Sequence, residues 1–376
     1  MMGELVVLGW LALELTNSPF LVGVAMGSRM IPLFFVGIPA GVLADRVRRD
    51  RLIVATSAGQ ALTAAAIGAL TVLGVISFGW LVVLTFVAGS VRAVEHAARQ
   101  SHTHDVVGAS QLMNGFVVLG VAMRAGWLFG SLGAGMVIAH FGAGIAYLAV
   151  AGRFLTGALA LLGAPAAGAP RAATGTVWQG IVGFAASMRA GGMLFALMLL
   201  TAAAEIFGFS HQTLLPSLAR DVLHVGPEGL GVLNAARAVG GILGLFAVSA
   251  RALAPRSGIV FLGVLAVFGV SLVVLGGAPY VVGFAGVVGV VVVVNAVGAL
   301  ADLFAQSLTQ LSAAGEHRGR AGGAWVVAIG LAPLGQLQIG ALASLFGVSI
   351  ALGASGLGLI ALTLAVALAF PRVRRL

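Results

Sequence analysis

Gly41-Val42-Leu43-Ala44-Asp45-Arg46-Val47-Arg48-Arg49-Asp50-Arg51 is the densest run of charge in a chain that carries little elsewhere, and apolar segments long enough to cross a bilayer flank it on both sides. An acid such as Asp45 at the end of a membrane helix accepts hydrogen bonds from the open N-terminal amides of another helix, where the dipole favours an anion. The arginines that follow belong to the cytosolic headgroup layer. Two readings of the run stand side by side: a contact that breaks and re-forms as two bundles rock, or a topological anchor of the kind that arginine-rich loops supply.

Composition decides the class around this turn. Of 376 residues, 60% are hydrophobic and 8% charged, and the mean hydropathy is +1.12, whereas about a quarter of the residues in a soluble domain are charged. Repeated apolar runs of helical length, rich in Gly, Ala, Val and Leu, predict a helical bundle and not a barrel, whose strands would alternate over about ten residues. The 56 glycines suit close helix packing in lipid. All 20 basic residues are arginine, and although the net charge is +9, their positions make them membrane anchors and not a nucleic-acid surface. The absence of cysteine excludes disulfides and thiolate metal sites. His102 and His104 form a loop HxH without further ligands, which reads as solvated.

The spans predicted along the chain are 5–15, 19–43, 52–76, 80–98, 115–139 and 144–162, then 194–215, 230–250, 259–275, 280–303, 324–346 and 348–370. The first is about half of the roughly 20 residues a spanning helix needs, so the start reads as lying inside helix 1, with roughly 15–30 further residues expected upstream. The expected organisation is an N-terminal bundle over 1–162, a cytosolic linker over 163–193 with an amphipathic stretch around Trp178 and Arg189, and a C-terminal bundle over 194–376. Arginine is concentrated in alternate loops, at Arg46 to Arg51, Arg251, Arg256, Arg318 and Arg320 among others, while the opposite loops carry only Arg220. That asymmetry puts the linker and the C-terminus on the cytosolic side. The halves also repeat: Pro19…Gly23…Arg29 aligns with Pro227…Gly231…Arg237, and Gly130…Gly135 with Gly335…Gly340, the pattern of two parallel six-helix repeats.

The spacing of Gly41, Asp45, Arg46 and the following arginines resembles the loop between helices 2 and 3 of the major facilitator superfamily, with arginine or aspartate where the family has a second glycine. The likeness covers nearly the whole chain. It leans toward the branch of enterobactin exporters and macrolide efflux proteins through Ala97-Ala98-Arg99-Gln100, through Leu215-Pro216-Ser217-Leu218-Ala219-Arg220-Asp221-Val222-Leu223 with Gly229-Leu230-Gly231, and through Arg318-Gly319-Arg320. Helix 5 departs from that branch, with Gly130-Ser131-Leu132-Gly133 where exporters often carry Gly-Pro. The resemblance implies an all-α integral membrane protein of two six-helix bundles, twelve spans in all with the first truncated. It also implies a conformational gate at Gly41, Asp45, Arg46 and Arg49, with Asp45 docking near Gly322 and Gly323.

Polar groups buried in the spans are the functional candidates, because burying them is expensive. Arg29 and Arg237 lie about nine residues from the outer helix ends, at roughly 14 Å depth; Arg124 lies at comparable depth, and Arg153 is expected to be buried in helix 6. These residues read either as a positively lined substrate cavity or as helix-helix pairs to carboxylates and carbonyls. Glu205, with Thr201, Phe209 and Gln212 on its helical face, is the candidate proton-coupling carboxylate and Arg237 its expected partner. Asp302 is the second, on a face shared with Asn295, Gln306 and Thr309. Gln336 and Gln338 are candidate substrate contacts. Arg92, Glu95 and His96 cluster within a turn and neutralise one another.

No hydrolytic constellation or phosphate loop is present, so an enzyme, a cofactor, a metal site and direct ATP drive are not expected. The expected protein is a monomeric multi-pass secondary transporter of a bacterial inner membrane, in contact with lipid. It would move a small amphipathic or anionic compound, such as a drug or siderophore, outward by alternating access against protons. The rivals are a non-transporting scaffold or sensor that kept the bundle, and an uptake facilitator.

Overall fold

The computed structural model describes residues 2–162, 192–249, 257–311, 328 and 330–375, and for 34, 37–46, 49, 96–97, 99–121, 247–249, 310–311 and 375 it describes the backbone only. The expected linker, the arginines at 251, 256, 318 and 320, and Gly322 and Gly323 lie outside the described residues. So do the side chains of Asp45, Arg46 and Arg49. Every regular element among the described residues is helical: α1 Met2–Thr16, α2 Pro19–Arg46, α3 Arg49–Val72, α4 Phe78–Leu162, α5 Met193–Ala203, α6 Gly226–Ser249, α7 Ser257–Gly277, α8 Gly283–Leu311, α9 Ala332–Phe346 and α10 Val348–Ala369. Eight stretches of the described residues are long and apolar enough to cross a membrane.

The chain divides into two compact units. The first comprises Met1–Asn17 and Ala25–Gly175, the second Ser18–Val24 and Thr176–Leu376. The start of α2 therefore belongs with the second unit, where the Cβ position of Gly23 meets the Gln336 backbone carbonyl and Ser344 Oγ accepts the Phe20 amide at 3.0 Å.

In the first unit, α2 continues to Arg46, so Asp45 stands in its last turn and only Val47 and Arg48 separate it from α3. Arg48 donates through Nη2 to Asp50 at 2.6 Å, and that carboxylate raises the pKa of the guanidinium above its ordinary value. Part of the charged run thus neutralises itself within the turn.

The helical stretch Phe78–Leu162 would be about 130 Å long as a single rod, yet both of its ends lie along the much shorter α3. Leu52 and Ile53 of α3 pack with Val94, Ala98 and Leu161, while Gly144 sits against Val72 and Gly68 at the other end of α3. Residues 98 and 161 therefore share one end of the unit and Gly144 the other, so the stretch reverses twice. One reversal is at Gly142, whose φ of 81° is open to glycine at no steric cost. The three expected spans are present, but the loop expected near His102 and His104 is helical. The physical reason is that Ala97 to Val107 contains neither Gly nor Pro to stop a helix.

In the second unit, Gly347 at φ 88° is the single residue that joins α9 to α10. The internal contacts of the two units correspond. Gly3 of α1 meets the Gly130 carbonyl as Gly335 of α9 meets that of Ile206. Gly89 meets the Arg29 carbonyl as Gly240 and Gly244 of α6 meet those of Val292 and Ala296 on α8. Gly68 meets Gly144 as Gly269 of α7 meets Gly356 of α10. These are the close approaches expected of small residues between lipid-embedded helices. Gly244→Ala would press a methyl group into the Ala296 carbonyl. The expected destabilisation is about 1–3 kcal/mol, read as a lowered melting temperature of the detergent-purified chain. An unchanged melting temperature would show that α6 and α8 are not held this closely.

Candidate functional site

In the first unit the polar centre is a buried ion pair. Arg29 of α2 donates through both Nη atoms to the two carboxylate oxygens of Glu4 on α1, Nη2 to Oε2 at 2.7 Å, and each side chain is 5% exposed. A fork-to-fork pair of this kind fixes geometry as well as charge. Tyr147, buried, lies within electrostatic reach of both residues. Arg92 is within reach of Arg29, Glu4, Glu95 and Arg153. Glu95 accepts from Gln60 Nε2 across α3 and α4, and Gln60 Oε1 is buried with no hydrogen-bond partner among the described residues. The expected charge cluster at Arg92 and Glu95 is therefore larger than a single helical turn and joins four helices.

Arg124 is partly buried and engaged in an interaction. Arg153 is exposed and lies over the Phe154 ring, 4.2 Å from its centroid. The expectation that it is buried is corrected, because its position on α4 turns it out of the packed interior while the aromatic face takes up the cation.

The second unit is organised by a break in helicity. After Ala203 the chain passes through a π-helical turn, Ala204–Gly208, a 3₁₀ stretch, Phe209–Leu214, and a second π-helical turn, Leu218–Val222. Pro216 lies between the last two. The π-turn adds a residue per turn and the 3₁₀ stretch removes part of one, so an α-helical register drawn from Glu205 to Gln212 does not hold. Phe268 of α7 fills the space beside Gly208 and packs edge-on against Phe209 and His211.

The break sends Glu205 and Gln212 to different partners. Glu205, partly buried, interacts electrostatically with Asp302 of α8, which accepts from Gln306 Nε2 at 3.2 Å. Gln212 faces Arg237 instead and accepts from its Nη2. Arg237 further donates through Nη1 to Asn234 Oδ1 at 2.9 Å and through Nε to Asn295 Oδ1 at 3.4 Å. Side-chain amides on three helical segments thus accept from Arg237, for which the sequence suggested the Glu205 carboxylate. Arg237, Asn234, Asn295 and His211 are all buried. Gln336 is buried on α9, next to the Gly335 that rests on Ile206.

Two of the residues that matter here carried no sequence signal strong enough to be singled out. Glu4 sits in a helix too short to be judged by depth, and Asn234 is an ordinary polar residue until its place three positions before Arg237, on the same helical face, is noticed.

Two helical units, each with polar side chains buried between apolar helices and with corresponding internal contacts, define a multi-pass membrane protein of transporter type. The sequence matches the Major Facilitator Superfamily over residues 4–334, and the chain belongs to that superfamily. No curated protein matches the chain by sequence. Among solved structures, the nucleoside transporter NupG is similar with a TM-score of 0.75 at 12% identity, covering 98% of this chain and 96% of that one. The peptide transporter POT, as a mutant in complex with alafosfalin, gives 0.77 at 15% identity, covering 100% and 92%. A bacterial homologue of the human lysosomal transporter Spinster gives 0.72 at 14%, covering 99% and 97%. At these identities the likeness is one of fold.

Proposed function

We propose that the chain is a proton-coupled secondary transporter that exports small amphipathic or anionic organic compounds, of the drug or siderophore kind, across a bacterial inner membrane. The observation that carries this reading is the coexistence in one unit of an acid pair, Glu205 and Asp302, and a buried cation, Arg237, held by Asn234, Asn295 and Gln212. Ionisable groups inside membrane helices mark ion and substrate pathways. Two interacting acids take up and release protons as a coupled pair, while Arg237 with Gln212 and Asn295, and Arg29, Arg124 and Gln336 besides, supply the charge and hydrogen bonds that select an anionic cargo. Export is supported by the likeness of 97–100 and 215–223 to efflux proteins. The fold shared with nucleoside and peptide transporters supports a small organic cargo.

The charged run at Gly41, Asp45, Arg46 and Arg49 is assigned to gating. Asp45 stands in the last turn of α2, where it would dock on the amides that open the eleventh span and favour the outward-facing state. The arginine asymmetry supports a cytosolic C-terminus.

Purified chain in liposomes, loaded in turn with a macrolide, an iron-siderophore chelate and an anionic dye, tests the reading. Flux of at least one probe is expected to rise when a pH gradient is imposed and to vanish when it is collapsed. Flux that ignores the gradient for all three would remove proton coupling. No flux of any of them would favour a bundle that has ceased to transport.

A further inference from the structure

His211, Asn295 and Arg237 form one chain of hydrogen bonds whose direction is settled by counting hydrogens. The Asn295 amide nitrogen has two. One is donated to the Val291 carbonyl, a turn earlier on α8, at 2.9 Å, and the other points at His211 Nε2, at 3.4 Å. His211 Nε2 is therefore an acceptor, and the ring carries its proton on Nδ1, which donates to the Gly208 carbonyl at 2.7 Å. The Asn295 carbonyl oxygen is turned the other way and accepts from Arg237 Nε.

Every donor in this chain meets an acceptor in one orientation of the Asn295 amide and not in the other. Reversing the amide would set its oxygen against the Val291 carbonyl and its hydrogens against the Arg237 guanidinium. The backbone supports this arrangement: the π-turn at Ala204–Gly208 brings the Gly208 carbonyl to His211, and Gly240 and Gly244 let α6 approach α8 closely enough for Arg237 to reach Asn295.

The surroundings of His211 contain few other charges. It stands edge-on to Phe268 of α7, and α7, α9 and α10 carry no ionisable side chain along their lengths. The charged group that acts on it is Arg237. The remaining ionisable groups of the elements around it are Glu205, Arg220 and Asp221 on its own segment, Glu228 on α6 and Asp302 on α8.

We propose that Asn295 is a positioning residue that couples the protonation of His211 to the hold on Arg237. A proton taken from water onto Nε2 converts the acceptor into a donor facing an amide hydrogen, and the two repel. The contact is restored when the amide turns its oxygen to the imidazolium, and in that orientation Arg237 loses one of its acceptors and meets a donor in its place. The guanidinium is then redirected toward another acceptor, such as an anionic group of the cargo. The consequence for transport rests on the function proposed above, but the hydrogen-bond relay itself does not.

The test uses the full chain in lipid nanodiscs with 15N-labelled histidine and arginine, followed by NMR from pH 7.5 down to the lowest pH at which the chain stays folded. The His211 signals are assigned by their loss in His211→Gln. The expected spectrum at pH 7.5 is a neutral ring protonated at Nδ1, and on acidification the His211 and Arg237 Nε signals should move with one midpoint. In Asn295→Asp, whose carboxylate accepts from both sides, a proton signal at Nε2 should appear at pH 7.5 and the Arg237 signal should cease to follow His211. Should that variant fail to fold, Asn295→Ala replaces it, with the loss of common movement expected. A His211 ring that stays neutral until the chain unfolds, a wild-type ring protonated at Nε2, an Arg237 signal indifferent to His211, or joint movement that survives in the Asn295 variant would overturn the relay. Liposome flux indifferent to the pH gradient, with the two signals still moving together, would remove the transport reading and leave the relay standing.

Discussion

Glu4→Ala is expected to destabilise the protein by about 3–5 kcal/mol, because it leaves the Arg29 guanidinium buried without the carboxylate that takes its hydrogen bonds. The loss comes mainly from the stranded cation and not from the removal of a favourable pair. A buried ion pair replaced whole by apolar residues of similar volume is often neutral or stabilising. The double variant Glu4→Leu with Arg29→Met should therefore recover most of the stability lost in Glu4→Ala. Thermal unfolding of the three proteins in one detergent measures this, and a Glu4→Ala protein as stable as the parent would show that the pair is not a structural element. The double variant also separates the two readings of Arg29. Retained transport assigns the pair to folding, while lost transport at recovered stability assigns Arg29 to the cargo.

Glu205→Gln is expected to reduce pH-gradient-driven flux by about tenfold or more, equivalent to about 1.4 kcal/mol or more in the coupled step, with cargo binding retained. The substitution keeps the size and hydrogen-bonding shape of the side chain but removes its ability to carry a proton. Because Glu205 is within electrostatic reach of Asp302, Asp302→Asn should shift the pH profile of the residual flux where a bystander would leave it unchanged. Binding of the probe in detergent, measured beside flux in liposomes, keeps a coupling defect apart from a folding or affinity defect. Undiminished gradient-driven flux in Glu205→Gln would dismiss Glu205 from the role and leave Asp302 as the candidate.

The arrangement of the second unit gives Arg237 amide partners that the expected pairing with Glu205 did not include. The depths of the two residues allow contact, and Glu205 and Gln212 share a face if the helix is α throughout. The π-turn at Ala204–Gly208 and the 3₁₀ stretch that follows change the rotation per residue; Gln212 meets Arg237, while Glu205 lies within electrostatic reach of Asp302. Pro216 was a visible sign that this helix is irregular, but it does not locate the π-turn at Ala204–Gly208, which ends eight residues before it. Phe268 packs against Gly208, the last residue of that turn, where a side chain would not fit.

The sequence alone determined where the chain can live in a membrane and how its halves correspond. Apolar runs have a length set by the bilayer, and the arrangement of glycines and arginines is repeated because each half must solve the same packing problem. Gly130 and Gly335, aligned by sequence, do occupy corresponding contacts. The tertiary structure alone decided which polar group answers which. Arg29 finds Glu4 at a separation of 25 residues, Arg237 finds Asn295 at 58, and Asn295 finds His211 at 84. No periodicity spans such distances, and in a medium that solvates neither charge nor amide, the partner of each buried group is whichever neighbour the packing of the helices brings within reach.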